Sequence, residues 1–489
     1  GASTVSVSGN TQTITGLNVA TTALQSTGDT TAKVTASDAT GTADVLTYGV
    51  KVNADSSNTI EASDIETLSI TLNDTTAGTD HTATFDVDTF KGANITVSDV
   101  ATTTDDMNVA LGTLNAAIRS VDTTGVDGTQ SASAASATAG VSFALAGDAA
   151  ATITGSDFAD TFTIASTTAA HSITGGTGTD TATVTTKGNT NLSSVDVETL
   201  NVVVAAGTDV NVTNFHSGVD NVVVTGGNSL STLTSGTLNT ALKSLDASAF
   251  GGNVVLTLGD DTADNTVTLK GGSSTKDSLA FQLSDTDFGA TTTGIEKLIA
   301  NVDADVDVIN LTTTTGVTAV EVDIAAAITA IVSGITSQTV TVTDGAGDSQ
   351  IEVKVASSTG DSDAVTVELK DAASNIAAAF NIKSTDIETV TIKASSAESV
   401  DLSNLSMATA SAVMSLSATG DKALTVSALN ADVTTVDASA MAEGGSFVQT
   451  GRSATTASTY TGSDGADTFM HLHGGDVISG GAGTNDTLD

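Results

Sequence analysis

Along this chain apolar residues alternate with Thr, Ser and Asn in short runs, and each run is closed by Gly, Asp or Asn. Val141, Phe143 and Leu145 alternate in this way, and Asn201-Val202-Val203-Val204 is a denser version of the same pattern. A period of two between turn residues predicts short, half-buried strands. Residues 1 to about 100 read as such segments, for example Ile60 to Leu72 and Ala93 to Val100. From about residue 150 one grammar repeats: a Gly- and Asp-rich turn, an apolar alternation, then another turn.

Three stretches break the pattern. Met107, Leu111, Leu114, Ile118 and Val121 recur at spacings of four and three, which predicts an amphipathic helix near 105–121 packed on the strands. Asp105 or Asp106 would cap its start, and Arg119 lies near its end. Alanine-rich Asp323 to Val332 and Asp371 to Phe380 predict short helical insertions. Residues 127–149 are rich in Ala, Ser and Gly and read as a linker or insertion. The organisation expected is therefore a β-rich segment over 1–126, the linker, and a β-solenoid over 150–489.

A second phrase recurs at irregular intervals: Ile65-Glu66-Thr67-Leu68, Val197-Glu198-Thr199-Leu200, Ile295-Glu296-Lys297-Leu298 and Ile387-Glu388-Thr389-Val390. A related one is Leu245-Asp246-Ala247-Ser248 and Val436-Asp437-Ala438-Ser439. Their irregular spacing marks modules and not single coils, and the glutamates read as rim residues at strand starts, unassigned to metal. The chain has no proline, so Gly, Asn and Asp supply the turn geometry. That suits stacked coils, in which a strand with two neighbours needs its N–H.

Composition narrows the interior. Aromatics are 3% of the residues and Trp is absent, so a thin core of Val, Ile, Leu and Ala is expected. The balance of 57 acidic against 15 basic residues, net −42, excludes nucleic acid as a partner, because phosphate binding needs a basic face. It also loads a compact fold with self-repulsion, which divalent ions held between carboxylates would relieve. There is no cysteine, hence neither a disulfide framework nor a thiolate metal site. No apolar stretch has the length of a membrane helix, and no basic, apolar leader pattern stands at the N-terminus. The chain stops just after a repeat-like phrase, which reads as the edge of a fragment or of a processed product.

The candidate chemistry lies in the turns. Gly175-Gly176-Thr177-Gly178-Thr179-Asp180-Thr181-Ala182 combines glycines that permit positive φ with a hard carboxylate oxygen, the donor type Ca²⁺ takes. Asp157 and Asp160 lie in a looser copy over 155–162, with Phe158 where the third glycine should be. Gly462, Asp464, Gly465 and Asp467 belong to a copy that keeps that glycine. It is followed by Asp476 and by Gly480, Gly481 and Gly483, after which Asn485 or Asp486 takes the ligand position. Weaker acidic turns hold Asp260, Asp261 and Asp264, then Asp344 and Asp348, then Asp361 and Asp363. Lys276 beside Asp277 argues against a metal there. The alternative for every phrase is a tight Gly/Asp turn without metal.

Catalytic readings find no support. None of the five histidines is followed by Glu, and the Gly-x-Ser-x-Gly elbow is missing. His471 and His473 alternate on one strand and read as exposed strand residues before a transition-metal pair. No enzyme activity is expected.

The phrases at 155–162, 175–182 and 462–488 resemble RTX, hemolysin-type Ca²⁺-binding repeats. Together with the Ile-Glu-Thr-Leu and Leu-Asp-Ala-Ser modules, the chain is similar to the large RTX surface-layer proteins of Gram-negative bacteria, of the Caulobacter type. The resemblance implies an all-β, right-handed parallel β-helix with Ca²⁺ in its turns. It implies type I export, folding outside the cell on meeting Ca²⁺, and self-assembly into a two-dimensional lattice. Attachment to lipopolysaccharide would use a separate region, for which these residues show no candidate. An RTX adhesin, or the repeat region of a secreted RTX hydrolase, would share the solenoid.

Overall fold

The strand runs fold as the alternation demands. In a computed structural model the chain is an all-β parallel β-solenoid, whose coils each place short strands on stacked parallel ladders. The structure describes all residues except 1–2, 21, 38–40, 75–80, 101–106, 127–139, 147–148, 168–170, 189–191, 213–214, 239, 260–265, 285–286, 326, 346–347, 358–361, 371–379, 386, 396–399, 409–413, 453–455 and 471. It divides into two compact units, Gly1–Asn253 and Val254–Asp489.

The first unit opens with two long parallel strands, Ser3–Leu17 and Thr22–Ala36. The second of these forks the sheet, because its first half pairs with Val45–Val52 and its second half with Ser56–Ser63. From the fork two ladders grow in parallel. One continues through Thr67–Asp74, Asn94–Asp99, Ser120–Gly125, Thr152–Thr154 and Ser172–Thr174. The other continues through His81–Asp86, Met107–Leu114, Gly140–Leu145, Thr161–Thr167, Thr181–Thr186, Thr199–Val204, Asn221–Gly226 and Ser244–Phe250. Within the second unit the chain alternates between a ladder that includes Lys297–Val302, Ala319–Ile324, Ala364–Leu369 and Thr389–Ala394 and one that includes Thr329–Ile335, Gln350–Val355 and Phe380–Thr385. Parallel neighbours require a crossover at every step, and twisted strands make such crossovers right-handed in nearly all cases.

Register stacks like on like. Leu46, Leu68, Ile95, Val121, Ile153 and Ile173 form one file of partners, each buried. Phe162, Ala182, Leu200, Val222 and Leu245 form another on the second ladder. In the second unit Tyr460 and Phe469 belong to different ladders and touch at 5.3 Å between ring centroids, which places the core between the sheets. Each aliphatic side chain buried in such a file stabilises the fold by about 1.5–3 kcal/mol relative to exposure.

The helix expected near 105–121 is not formed. Met107–Leu114 and Ser120–Gly125 are strands, and their backbone groups are used by neighbouring coils. Met107, Val109 and Leu111 already alternate; Gly112, at φ +62°, then breaks the alternation, so that Leu114 returns to the core. A bulge of this kind turns a period of two into spacings of three and four, which imitates a helix. The insertion expected over Asp323 to Val332 is likewise not helical: Asp323 and Ile324 end the strand Ala319–Ile324, and Thr329 to Val332 begin the strand Thr329–Ile335. Of Asp371 to Phe380 only Phe380 is described, and it opens the strand Phe380–Thr385. Among the described residues the helical content is the 3₁₀ turn Leu311–Thr313. Of the linker expected over 127–149, Gly140–Leu145 is a buried strand within the ladder, and 127–139 and 147–148 lie outside the described residues.

A solenoid held by nearest-neighbour stacking predicts that truncating one core rung weakens the whole unit. Leu200→Ala is expected to cost about 2–5 kcal/mol, read from the urea midpoint of unfolding. An unchanged midpoint would contradict the stacked core.

Candidate cation-binding corners

A strand that starts in one coil leaves the amide before it pointing at the next coil, and a buried amide needs an acceptor. Here the acceptor is a carboxylate from the next coil. In the first unit Val141 N donates to Asp160 Oδ1 at 2.6 Å, Asp160 N to Asp180 Oδ1 at 2.8 Å, and Asp180 N to Glu198 Oε2 at 2.7 Å. Nearer the N-terminus Asp44 N donates to Glu66 Oε2 at 2.8 Å. In the second unit Val254 N and Asp277 N donate to Asp277 Oδ1 and Glu296 Oε2 at 2.8 and 3.0 Å. Asp363 N does the same to Glu388 Oε2 at 2.9 Å. Phe447 N and Asp467 N reach Asp467 Oδ1 and Asp486 Oδ1 at 2.7 and 3.1 Å.

The aspartate of the glycine-rich phrase and the glutamate of the Ile-Glu-Thr-Leu phrase therefore occupy the same corner. Asp180 immediately precedes the strand Thr181–Thr186, and Glu198 immediately precedes Thr199–Val204. These glutamates, expected as rim residues at strand starts, are acceptors for a buried amide of the neighbouring coil. A shared signal was present in the triplet acid–Thr–apolar, found at Asp160-Thr161-Phe162, Asp180-Thr181-Ala182, Glu198-Thr199-Leu200 and Asp467-Thr468-Phe469. At three Asp–Glu pairs the clasp is reciprocal. Asp44 O, Asp277 O and Asp363 O accept the N–H of Glu66, Glu296 and Glu388 at 3.0–3.1 Å.

The second carboxylate oxygen of the aspartate closes its own turn. Asp160 Oδ2 accepts Ser156 N at 2.6 Å, Asp277 Oδ2 accepts Gly272 N at 2.6 Å, and Asp467 Oδ2 accepts Ser463 N at 2.7 Å. Ser156 and Ser463 hydroxyls add bonds to Oδ1 of the same aspartates at 2.8 and 2.9 Å. At Asp44, Asp180 and Asp363 the Oδ2 atom is buried and has no hydrogen-bond partner. Asp180 is wholly buried, and desolvation, with repulsion from Asp160, Glu198 and Asp196 added, pushes its carboxyl up to about 7. Burial raises Asp160 and Asp277 as well.

Glycine is required where turns lie on turns. Gly176 and Gly178, at φ +113° and +121°, stack on the carbonyls of Ser156 and Phe158, and a Cβ at either would collide with them. Gly175, Gly462 and Gly480 leave no room for a Cβ beside the carboxylates of Asp180, Asp467 and Asp486. Gly465, Gly481 and Gly483 are packed against the carbonyls of Gly445, Ser463 and Gly465. Carbonyl oxygens thus line the space between successive turns.

The other candidates separate. Asp157 and Asp464 are exposed. Asn485 adopts φ +77° in the turn, and Asp486 supplies the carboxylate. Asp476 accepts Ser458 N and His473 N at 2.7 Å, and its Oδ1 lies 3.9 Å from the fully buried Arg452 guanidinium. That guanidinium, which also bonds Tyr460 and Ser458, fills the place of a cation beside Asp476. Asp260, Asp261, Asp264, Asp361 and His471 lie outside the described residues. Asp277, beside Lys276, forms the corner with both carboxylate oxygens already bonded to amides, which leaves no free oxygen for a metal there.

Among the described residues no group of three or more His, Asp or Glu side chains converges on one point. A cation beside Asp180 would meet one free carboxylate oxygen and the carbonyls of the stacked turns. Hard oxygens of this mixed kind suit Ca²⁺. The residues fit it at Asp180, where an oxygen is free beside the carbonyls of stacked turns; Asp44 and Asp363 offer the free oxygen, and Asp476 does not fit it. Among the described residues no helix is long and apolar enough to cross a membrane. No protein-family model matches the chain, and the curated proteins contain no significant match to it.

A carboxyl raised in the folded state favours folding in its protonated form, so its contribution is present at low pH and lost as pH rises through about 7. In chelator-treated protein the urea midpoint is expected to fall over that range, and Asp180→Asn to flatten the slope. The same slope in wild type and variant would exclude Asp180 as its source.

Proposed function

We propose that this chain is the structural solenoid of an RTX-type surface-layer protein, secreted and non-catalytic, which folds and self-assembles on the cell surface when it meets extracellular Ca²⁺. The observation that supports this reading is the set of buried, partnerless carboxylate oxygens at stacked acidic corners, Asp180 Oδ2 foremost. In each of these corners the aspartate lies against a second acid, Glu66, Glu198 or Glu388, whose carboxylate takes its N–H. Two acids held this close in a chain of net charge −42 weaken the folded state when both are ionised. Calcium, when bound, supplies the positive charge that offsets them.

The protein's own groups do the rest. Asp180, Asp44 and Asp363 offer the free oxygen; at Asp180 glycines let neighbouring turns approach until their carbonyls face the same space. The glutamates fix the aspartates in place through the N–H bond. Binding to the folded state alone converts metal affinity into folding free energy. The low-calcium chain is held back by repulsion, and the calcium-loaded chain is free to assemble.

Removal of Ca²⁺ with a chelator is expected to lower the thermal midpoint and dissolve assemblies seen by electron microscopy. At pH 8, Asp180→Asn is expected to raise the metal-free midpoint while reducing the gain on adding Ca²⁺. Circular dichroism, midpoint and assembly all unchanged after complete chelation would refute the reading.

A further inference from the structure

Arginine carries its positive charge without a metal and at every ordinary pH, and the second unit buries one. Arg452 is bridged through Leu429 to Leu405, on the ladder of Val400–Ala408, and its side chain has no exposed surface. From there the guanidinium reaches three successive rungs of the other ladder, Val433–Met441, Thr459–Thr461 and Val477–Ser479. Nη2 donates to Val433 O at 2.7 Å and to Ser458 Oγ, and Nη1 donates to the Tyr460 hydroxyl. Asp476 Oδ1, on the residue before the third rung, lies 3.9 Å away. Ser458 Oγ in turn donates to Val433 O at 3.0 Å, so one cation ties the three rungs together.

The same coils are tied a second time. Gln449 is wholly buried and donates its amide to Met470 O at 2.7 Å. Tyr460 and Phe447 each touch Phe469, with ring centroids 5.3 and 6.0 Å apart. The acidic corners of this stretch are satisfied from within. Asp467 accepts Phe447 N through Oδ1 and Ser463 N through Oδ2, while Asp476 accepts Ser458 N and His473 N. Among the described residues, the aspartate oxygens that are buried without a hydrogen-bond partner all lie at or before Asp363.

We propose that Arg452 clamps the strands Val433–Met441, Phe447–Gln449, Thr459–Thr461 and Thr468–Phe469 so that they keep their fold without Ca²⁺, which confines cation control to the earlier corners. A permanent charge does at Asp476 what a bound ion would do at Asp180. Part of the glycine-rich run at 462–488, although it resembles a Ca²⁺-binding repeat, then belongs to the portion of the chain that does not wait for the ion. The contrast with Asp180 rests on the calcium reading; the clamp itself does not.

Hydrogen exchange read by mass spectrometry on the whole chain tests this. In chelator, peptides over 456–470 are expected to exchange as they do with Ca²⁺, whereas those over 156–166 and 177–186 exchange at least about tenfold faster. Arg452→Met removes the charge and leaves Asp476 without its cation. It is expected to speed exchange over 456–470 by about tenfold or more with or without Ca²⁺, and to leave 177–186 as in wild type. Arg452→Lys, which keeps the charge, is expected to lose less protection. The clamp is overturned if wild-type 456–470 opens in chelator in step with 177–186, or if Arg452→Met exchanges like wild type. If 177–186 ignores the chelator, the calcium reading falls, and Arg452→Met alone decides the clamp: faster exchange over 456–470 upholds it and no change overturns it.

Discussion

A carboxylate that accepts the backbone N–H of the coil before it is the interaction on which the rest of this structure depends. Hydrophobic files hold coils together but are indifferent to sliding, because Val, Leu and Ile on adjacent rungs are interchangeable. The corner bond fixes which residue lies over which. Once Asp180 is set under Asp160 and Glu198 under Asp180, the strands that follow them fall into step, and Ala182, Leu200 and Val222 meet in one file. A bond to a charged acceptor is also stronger than a neutral one. The chain can therefore vary the length of everything between corners, and the Asp–Glu partners lie 18 to 25 residues apart.

The same device gives the molecule its electrostatic difficulty. Stacking acids in one column brings like charges together in a buried place, and burial drives the affected carboxyls upward. The chain shows two answers. Around Asp160, Asp277 and Asp467 the turn's own amides and hydroxyls surround the carboxylate. Around Asp476 a buried arginine stands in as a resident cation, leaning over Tyr460 at 5.6 Å. Asp44, Asp180 and Asp363 have neither, which is why they are the positions where an ion from outside has most to contribute.

Much of the fold was legible because strand alternation and glycine punctuation are local signals. The solenoid and the strand character of Val141, Phe143 and Leu145 follow from period and turn residues alone. The error at 105–121 has a definite cause: Gly112 inserts a bulge, and the hydrophobic spacing then matches a helix although each neighbour is a strand. The site was half legible. Glycine and aspartate at 175–180 marked the turn, but the partner acid comes from another coil, and no local window connects Glu198 to Asp180. Nor does composition reveal that Arg452 is buried against Asp476. Such pairings are decided by which coil lands on which.

The corner bond has a direction. In the corners built on Asp160, Asp180, Glu198, Glu296, Glu388 and Asp486 the later coil brings the carboxylate and the earlier coil the N–H. Asp29, Asp55, Asp209, Asp287 and Asp305 instead accept an N–H from the coil after them. A row of the first kind leaves an acceptor without its donor at one end, and a row of the second kind leaves one at the opposite end. The two kinds of bond are thus rows of arrows that point in opposite senses. Each added coil must therefore offer both a carboxylate and an N–H at its strand starts, and lengthening either row keeps the sense of its own arrows.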